Sequence, residues 1–313
     1  MTSWPETRLS RLLGIRYPII QGPFGELRSQ PLAATVSSFG GLGSVGANSL
    51  PPDEIAAVVA WLRAATSAPF AVNLWVSTEG EGARGSAFDR SRAALAQHFA
   101  ELGEVTAQKC SASLRFAAQV RAVIDAKAPV FSFIHGIPPA EALAECARRG
   151  IRTIGTATTP DEAIALERAG VDAIVASGFE AGGPRGSFLR AAEDSLIGTL
   201  ALVPQIVDVV DVPVIAAGGI ADARGVVAAL ALGAEAVQIG TALLACEGSG
   251  ASPAHRRAIS AGRCRYAALT KEFDGRLARE VGQGAALIRH EDTTTFLREL
   301  VADVASLTQA VAS

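Results

Sequence analysis

The chain has 313 residues, 49% hydrophobic and 19% charged, with a formal net charge of −3. That is enough for one large buried core; the charge gives no electrostatic footprint for nucleic acid, and no run of about 18 apolar residues offers a membrane span. Met1–Glu6 has no basic region leading into an apolar core, and the four cysteines (Cys110, Cys146, Cys246 and Cys264) form no CxxC pair, so a cytoplasmic protein with reduced thiols and no signal peptide is expected.

In chain order, short apolar runs predict strands at Pro18–Gln21, Gly43–Gly46, Phe70–Leu74, Val130–Ile134, Thr153–Thr156, Ala173–Ala176, Val214–Ala217 and Ala236–Ile239. Such runs suit strands buried on both faces. Helices are expected between them at Pro31–Phe39, Pro51–Ala65, Pro138–Arg149, Pro160–Ala169 and Ala223–Leu232. Thr159-Pro160-Asp161-Glu162, closed by Gly170, shows the start and stop chemistry well. The alternation predicts an α/β fold, a closed (β/α)8 TIM barrel, with an open doubly wound sheet as the alternative. Residues 1–313 read as one barrel domain. Two regions break its rhythm. An insertion at about 77–108 follows the third strand and reads either as a lid or as a solvated excursion. A tail at about 253–313 reads as helical, with a turn at Asp274-Gly275, and is expected to pack back on the barrel.

Gly218-Gly219 follows the seventh expected strand, and Gln238-Ile239-Gly240-Thr241 ends the eighth. Barrels commonly bind phosphate at these two strand ends. Glycine lets main-chain N–H groups approach phosphate oxygens, a helix opening near Asp222 adds a favourable dipole, and Thr241 offers a hydroxyl. FMN and a sugar phosphate both remain open from these motifs.

The segment Ala176-Ser177-Gly178-Phe179-Glu180-Ala181-Gly182-Gly183-Pro184-Arg185-Gly186-Ser187-Phe188 is more specific. With Pro18–Phe24, Gly40–Gly43, Val72-Asn73-Leu74 and the two phosphate motifs, it resembles the nitronate monooxygenase family, over roughly Ile15 to Thr241. Leu269-Thr270 through Arg279 also resembles a family segment. The resemblance implies FMN as cofactor. The Gln21, Gly22, Pro23 and Phe24 backbone would lie against the isoalloxazine, Asn73 would bind the flavin through its amide, and Gly182 would approach by its backbone. Gly218, Gly219, Gln238, Gly240 and Thr241 would surround the phosphate, and Ser177 stands where relatives often carry Gln. No metal is implied.

One position departs from the family pattern. Its motif usually reads Glu-Ala-Gly-Gly-His, and here the histidine position is Pro184, which has neither a titratable group nor an N–H donor. His135 ends the fourth expected strand, where many relatives carry Phe, and is the candidate replacement; the alternative is a partly buried histidine bonded to a loop. His98, His255 and His290 read as surface residues. Arg185 reads either as an attractor of negative charge in the site or as a surface partner of Glu180 or Asp194.

The leading expectation is an FMN-dependent oxidoreductase that oxidises an alkyl nitronate with O2 to a carbonyl compound and nitrite. The resemblance also admits an NAD(P)H-dependent flavin reductase of enoyl thioesters or quinones, because the family holds such enzymes, and Pro184 admits a non-catalytic flavin-binding protein. A flavin-free phosphate-binding barrel is the reading outside the resemblance. The expected partners are a small-molecule substrate with O2 or NAD(P)H, and no nucleic acid or membrane; a homo-oligomer is compatible with the pattern.

Overall fold

The computed structural model describes residues 6–76, 116–261, 263–271 and 275–312. The insertion expected at about 77–108, together with His98, Cys110 and the first residue of the Asp274-Gly275 turn, lies outside these residues.

Eight parallel strands form one sheet: β1 (Ile19–Gln21), β2 (Gly43–Gly46), β3 (Phe70–Trp75), β4 (Val130–Ile134), β5 (Arg152–Ala157), β6 (Ala173–Ser177), β7 (Val214–Ala217) and β8 (Ala236–Ile239). From β2 to β8 each strand pairs with the next, and β8 returns to β1 with Gln238 opposite Ile20. A parallel bridge joins Ile20 to Leu42, and the Gln21 N–H donates to the Leu42 carbonyl at 2.9 Å, which closes the barrel. Every strand lies within one residue of its expected ends.

Helices α1 (Arg8–Leu13), α2 (Gln30–Phe39), α3 (Pro52–Ala65), α4 (Phe116–Asp125), α5 (Ala140–Arg148), α6 (Pro160–Arg168), α7 (Thr199–Val207) and α8 (Ala223–Ala231) accompany the strands. At α6 the Thr159 hydroxyl accepts the Glu162 N–H at 3.3 Å, Pro160 occupies the first turn, and Gly170 (φ +84°) ends the element. α2 crosses β2 so closely that a Cβ at Gly43 would overlap the Ala33 carbonyl.

Strand alternation splits the core in two. Phe70, Val72, Leu74, Phe131, Phe133, Ile174, Val237 and Ile239 point out toward the helices. Ile20, Ala71, Val130, Ile154, Val175, Ile215 and Ala236 point in and join Leu9, Leu13 and Ile15. Helix α1 thus plugs the end where the strands begin, and Arg8 anchors it there through Glu235 and the Asp211 carbonyl. Thr7 and Ser10 cap α1 reciprocally.

The tail is helical at Pro253–Ser260 and Thr293–Ala312, and the second of these packs on α2 and α8. Between them the chain is largely irregular. Ala278–Arg279 pairs antiparallel with Gly183–Pro184, and a 3-10 turn follows at Gln283–Leu287. Gly275, Gly282 and Gly284 lie in this stretch and disfavour continuous helix. Proline is tolerated opposite Ala278 because the neighbouring Arg185 N–H donates to Leu277, at 2.8 Å, in its place.

Candidate active site

The barrel interior changes character along the strands. Its lower tiers are apolar, and the same inward-facing series continues upward as Asn73, Ser132, Thr156, Ser177 and Gln238. Asn73 and Ser132 sit opposite each other, and Asn73 Nδ2 donates to Ser132 Oγ at 3.0 Å. Gln21 alternates outward, and its Nε2 donates to the Ser44 carbonyl at 2.8 Å, so the side chain braces β1 against β2. The Gly22 N–H donates to the Ile239 carbonyl at 2.8 Å, and Pro23 and Phe24 are half-buried beyond it.

Gly218 (φ +120°) and Gly219 (φ +72°) turn the chain after β7. A Cβ at Gly218 would stand 3.3 Å from the Ala181 nitrogen, and one at Gly182 would stand 2.8 Å from the Gly282 nitrogen and 3.3 Å from Thr241 Oγ1. One segment that the sequence analysis did not single out, the tail turn at Gly282-Gln283, joins this group. The Gly282 N–H donates to Thr241 Oγ1 at 2.8 Å, and the Gln283 N–H donates to the Glu180 carbonyl at 2.9 Å. Above Gly240 no heavy atom lies within 4 Å of where a Cβ would project. Main chain from three loops and the tail therefore meets one hydroxyl beside open space. The helix expected to open near Asp222 does so: at the N-terminus of α8 the Asp222 carboxylate accepts from the Arg224 and Gly225 N–H groups at 3.1 and 3.2 Å and caps the first turn.

Arg185 is not on the surface. It is 3% exposed, and its Nη1 and Nη2 donate to the Gly178 and Ser177 carbonyls at 2.7 and 2.8 Å. Burial pushes its pKa down to about 10, an effect offset by Glu162 and Glu180 and reinforced by Arg279. Glu180 instead turns its carboxylate to Thr199, accepting its N–H at 2.9 Å and its hydroxyl at 2.9 Å. Thr199 Oγ1 also lies 3.1 Å from the Gly218 carbonyl, which ties the β6 loop to the glycine turn. Glu162, fully buried, accepts from Thr158 and from the Phe188 and Leu189 N–H groups, anchoring the far end of the β6 loop.

His135 follows β4, is 7% exposed, and holds φ at +71°. Its ring meets Trp75 edge-on at 5.1 Å, and the Arg276 guanidinium lies 5.2 Å over the same indole. The β6 loop reaches this corner: a Cβ at Gly186 would stand 2.7 Å from Ile134 Cγ1, next to His135. The loop that carries Pro184 therefore packs, through Gly186, on the strand end that His135 follows. His255 and His290, expected at the surface, are half-buried, and His290 Nε2 pairs with Glu299 at 2.7 Å. Cys146 and Cys246 are buried thiols raised to about 11 and about 12 by burial, which leaves them protonated and unreactive near neutrality.

The family whose sequence model matches residues 6–310 is described as nitronate monooxygenase. The chain belongs to the nitronate monooxygenase family. A probable nitronate monooxygenase of Staphylococcus aureus (strain Newman) is 41% identical over 280 residues, covering 89% of this chain and 79% of that protein. Among solved structures, a nitroalkane oxidase from Streptomyces ansochromogenes is similar with a TM-score of 0.86 at 32% identity, over 96% of this chain and 99% of that one. FabK from Thermotoga maritima is similar with a TM-score of 0.78 at 27% identity, over 99% of both chains. The chain is thus an oxidoreductase by family, on the (β/α)8 barrel its strand pattern predicts. Among the described residues no helix is long and apolar enough to cross a membrane.

Proposed function

We propose that this chain is an FMN-dependent oxidoreductase that accepts an alkyl nitronate as a preformed anion and, with O2, yields a carbonyl compound and nitrite. FMN, when bound, supplies the electron-transfer chemistry, and the protein supplies binding, orientation and electrostatics. The residues present fit that cofactor. Asn73 offers a buried amide whose Oδ1 accepts no hydrogen bond from the described residues, suited to the polar edge of the ring. Ser177 and Gln238 extend the same polar tier, the Gln21–Phe24 backbone borders it, and Gly182, Gly218, Gly219, Gly240 and Thr241 suit the phosphate.

Pro184 is the observation that carries the choice of an anionic substrate. Residues 183–184 are held in the ribbon with 278–279, and no proton acceptor stands at the family's histidine position. His135 is the group we assign to contact the substrate. A left-handed conformation costs a non-glycine residue on the order of 1–2 kcal/mol, and such strain is often kept where a side chain must be aimed. Comparing turnover on a preformed nitronate with that on its neutral nitroalkane tests the reading. Activity confined to the nitronate supports it; equal activity on both contradicts it.

Pro184 also favours a second reading, NAD(P)H-dependent reduction of an enoyl thioester or quinone, because hydride transfer to a flavin needs no base at this position. Rapid anaerobic bleaching by NADH or NADPH selects it.

A further inference from the structure

We infer that the tail turn Val281–Gly284 is a wall of the phosphate site and makes the protein prefer FMN to unphosphorylated flavin; this rests on the flavin reading above. These residues stand about forty positions beyond Thr241 and outside the motifs quoted in the sequence analysis. They reach the site through the ribbon with Gly183–Pro184, which delivers the tail to the C-terminal end of the barrel.

Three contacts define the wall. The Gly282 N–H occupies a lone pair of Thr241 Oγ1 at 2.8 Å. A threonine hydroxyl has one proton to give, so this bond fixes the oxygen and leaves that proton for an external acceptor. The Gln283 N–H is bound to the Glu180 carbonyl at 2.9 Å, fastening the turn to the β6 loop. Gly284 lies on Gly219 so closely that a Cβ would run into the Gly219 carbonyl. Glycine at 282 follows the same logic: a Cβ there would stand 3.1 Å from Thr241 Oγ1, 3.3 Å from the Glu180 carbonyl oxygen and 3.3 Å from the Gly182 nitrogen. The turn therefore lies flat on the main chain expected to hold phosphate, while the ring-binding tier of Asn73 and Ser132 is across the barrel on β3 and β4. An anion accepting the Thr241 proton gains a short charge-assisted hydrogen bond that a neutral ribityl alcohol cannot match.

The test is a fluorescence titration of the full chain, stripped of flavin, with FMN and separately with riboflavin. The wild type is expected to prefer FMN by about 100-fold, equivalent to roughly 2.7 kcal/mol. Gly282→Ala is expected to weaken FMN binding about tenfold while riboflavin changes less than about twofold. Thr241→Val and Thr241→Ser probe the same bond without crowding the turn: Val reproduces the selective loss of FMN, and Ser, which keeps the hydroxyl, restores it. Equal losses for both flavins in Gly282→Ala and Thr241→Val, or no loss for either, overturn the tail's role. A wild type that binds neither flavin overturns the reading on which it rests.

Discussion

Replacing Glu162 by Gln isolates the anchor of the β6 loop. The two carboxylate oxygens divide four donors: Oε2 takes the Thr158 N–H and hydroxyl, both at 2.7 Å, and Oε1 takes the Phe188 N–H at 2.6 Å and the Leu189 N–H at 3.2 Å. Glutamine offers one oxygen. In its better orientation the amide nitrogen faces Thr158, whose hydroxyl can rotate to accept but whose N–H cannot. One buried N–H is orphaned and the remaining bonds lose their charge, a cost of about 2–4 kcal/mol. For a chain of this size that lowers the melting temperature by about 3–6 °C. Phe188 and Leu189 end the loop that carries Gly182, so FMN affinity should fall with stability. Thermal denaturation followed by circular dichroism, with a parallel FMN titration, measures both. A variant melting within about 1 °C of wild type would refute the argument, because the carboxylate would then not be holding the loop.

Four further outcomes are expected. His135→Phe lowers kcat on the nitronate at least about tenfold with the fold intact by circular dichroism; unchanged turnover removes its assignment. Pro184→His returns a titratable group to the mouth and raises activity on a neutral nitroalkane relative to its nitronate, measured as a ratio of kcat/KM values. Asn73→Ala weakens FMN binding about tenfold, read by flavin fluorescence, while the apo-protein keeps its fold. Between about pH 9 and pH 11 the unfolded chain releases protons from Cys146 and Cys246 that the folded chain retains, so these thiols make stability fall as pH rises. The Cys146→Ala/Cys246→Ala double variant should show a shallower alkaline decline in denaturant titrations.

The barrel was legible because its strands are buried on both faces and read as apolar runs bounded by glycine and proline. Local signals at Thr159-Pro160 and Gly170 marked helix ends for the same reason. Helices outside the expected set include α1, one capped turn and a half, the single turn Thr241–Leu244, α4, and α7, which starts at Gly198 without a side-chain cap. At the end of β7 the turn at Gly218-Gly219 was readable because its positive φ angles demand glycine. The burial of Arg185 was not, since a guanidinium bound to two carbonyls has no local sequence signature and its natural partners looked acidic. The tail turn was equally hidden, because its contacts with Thr241, Glu180 and Gly219 depend on a ribbon between segments nearly a hundred residues apart. Asp222 was readable as a helix start because its carboxylate caps the first turn of α8.

The central claim is that glycine backbone at the ends of β6, β7 and β8 holds a phosphorylated flavin. The most direct measurement is the visible spectrum of the purified protein, with mass spectrometry of whatever chromophore is released on denaturation. The account predicts an absorbance band near about 450 nm and FMN at about one molecule per chain. Colourless protein that takes up no added FMN would contradict it.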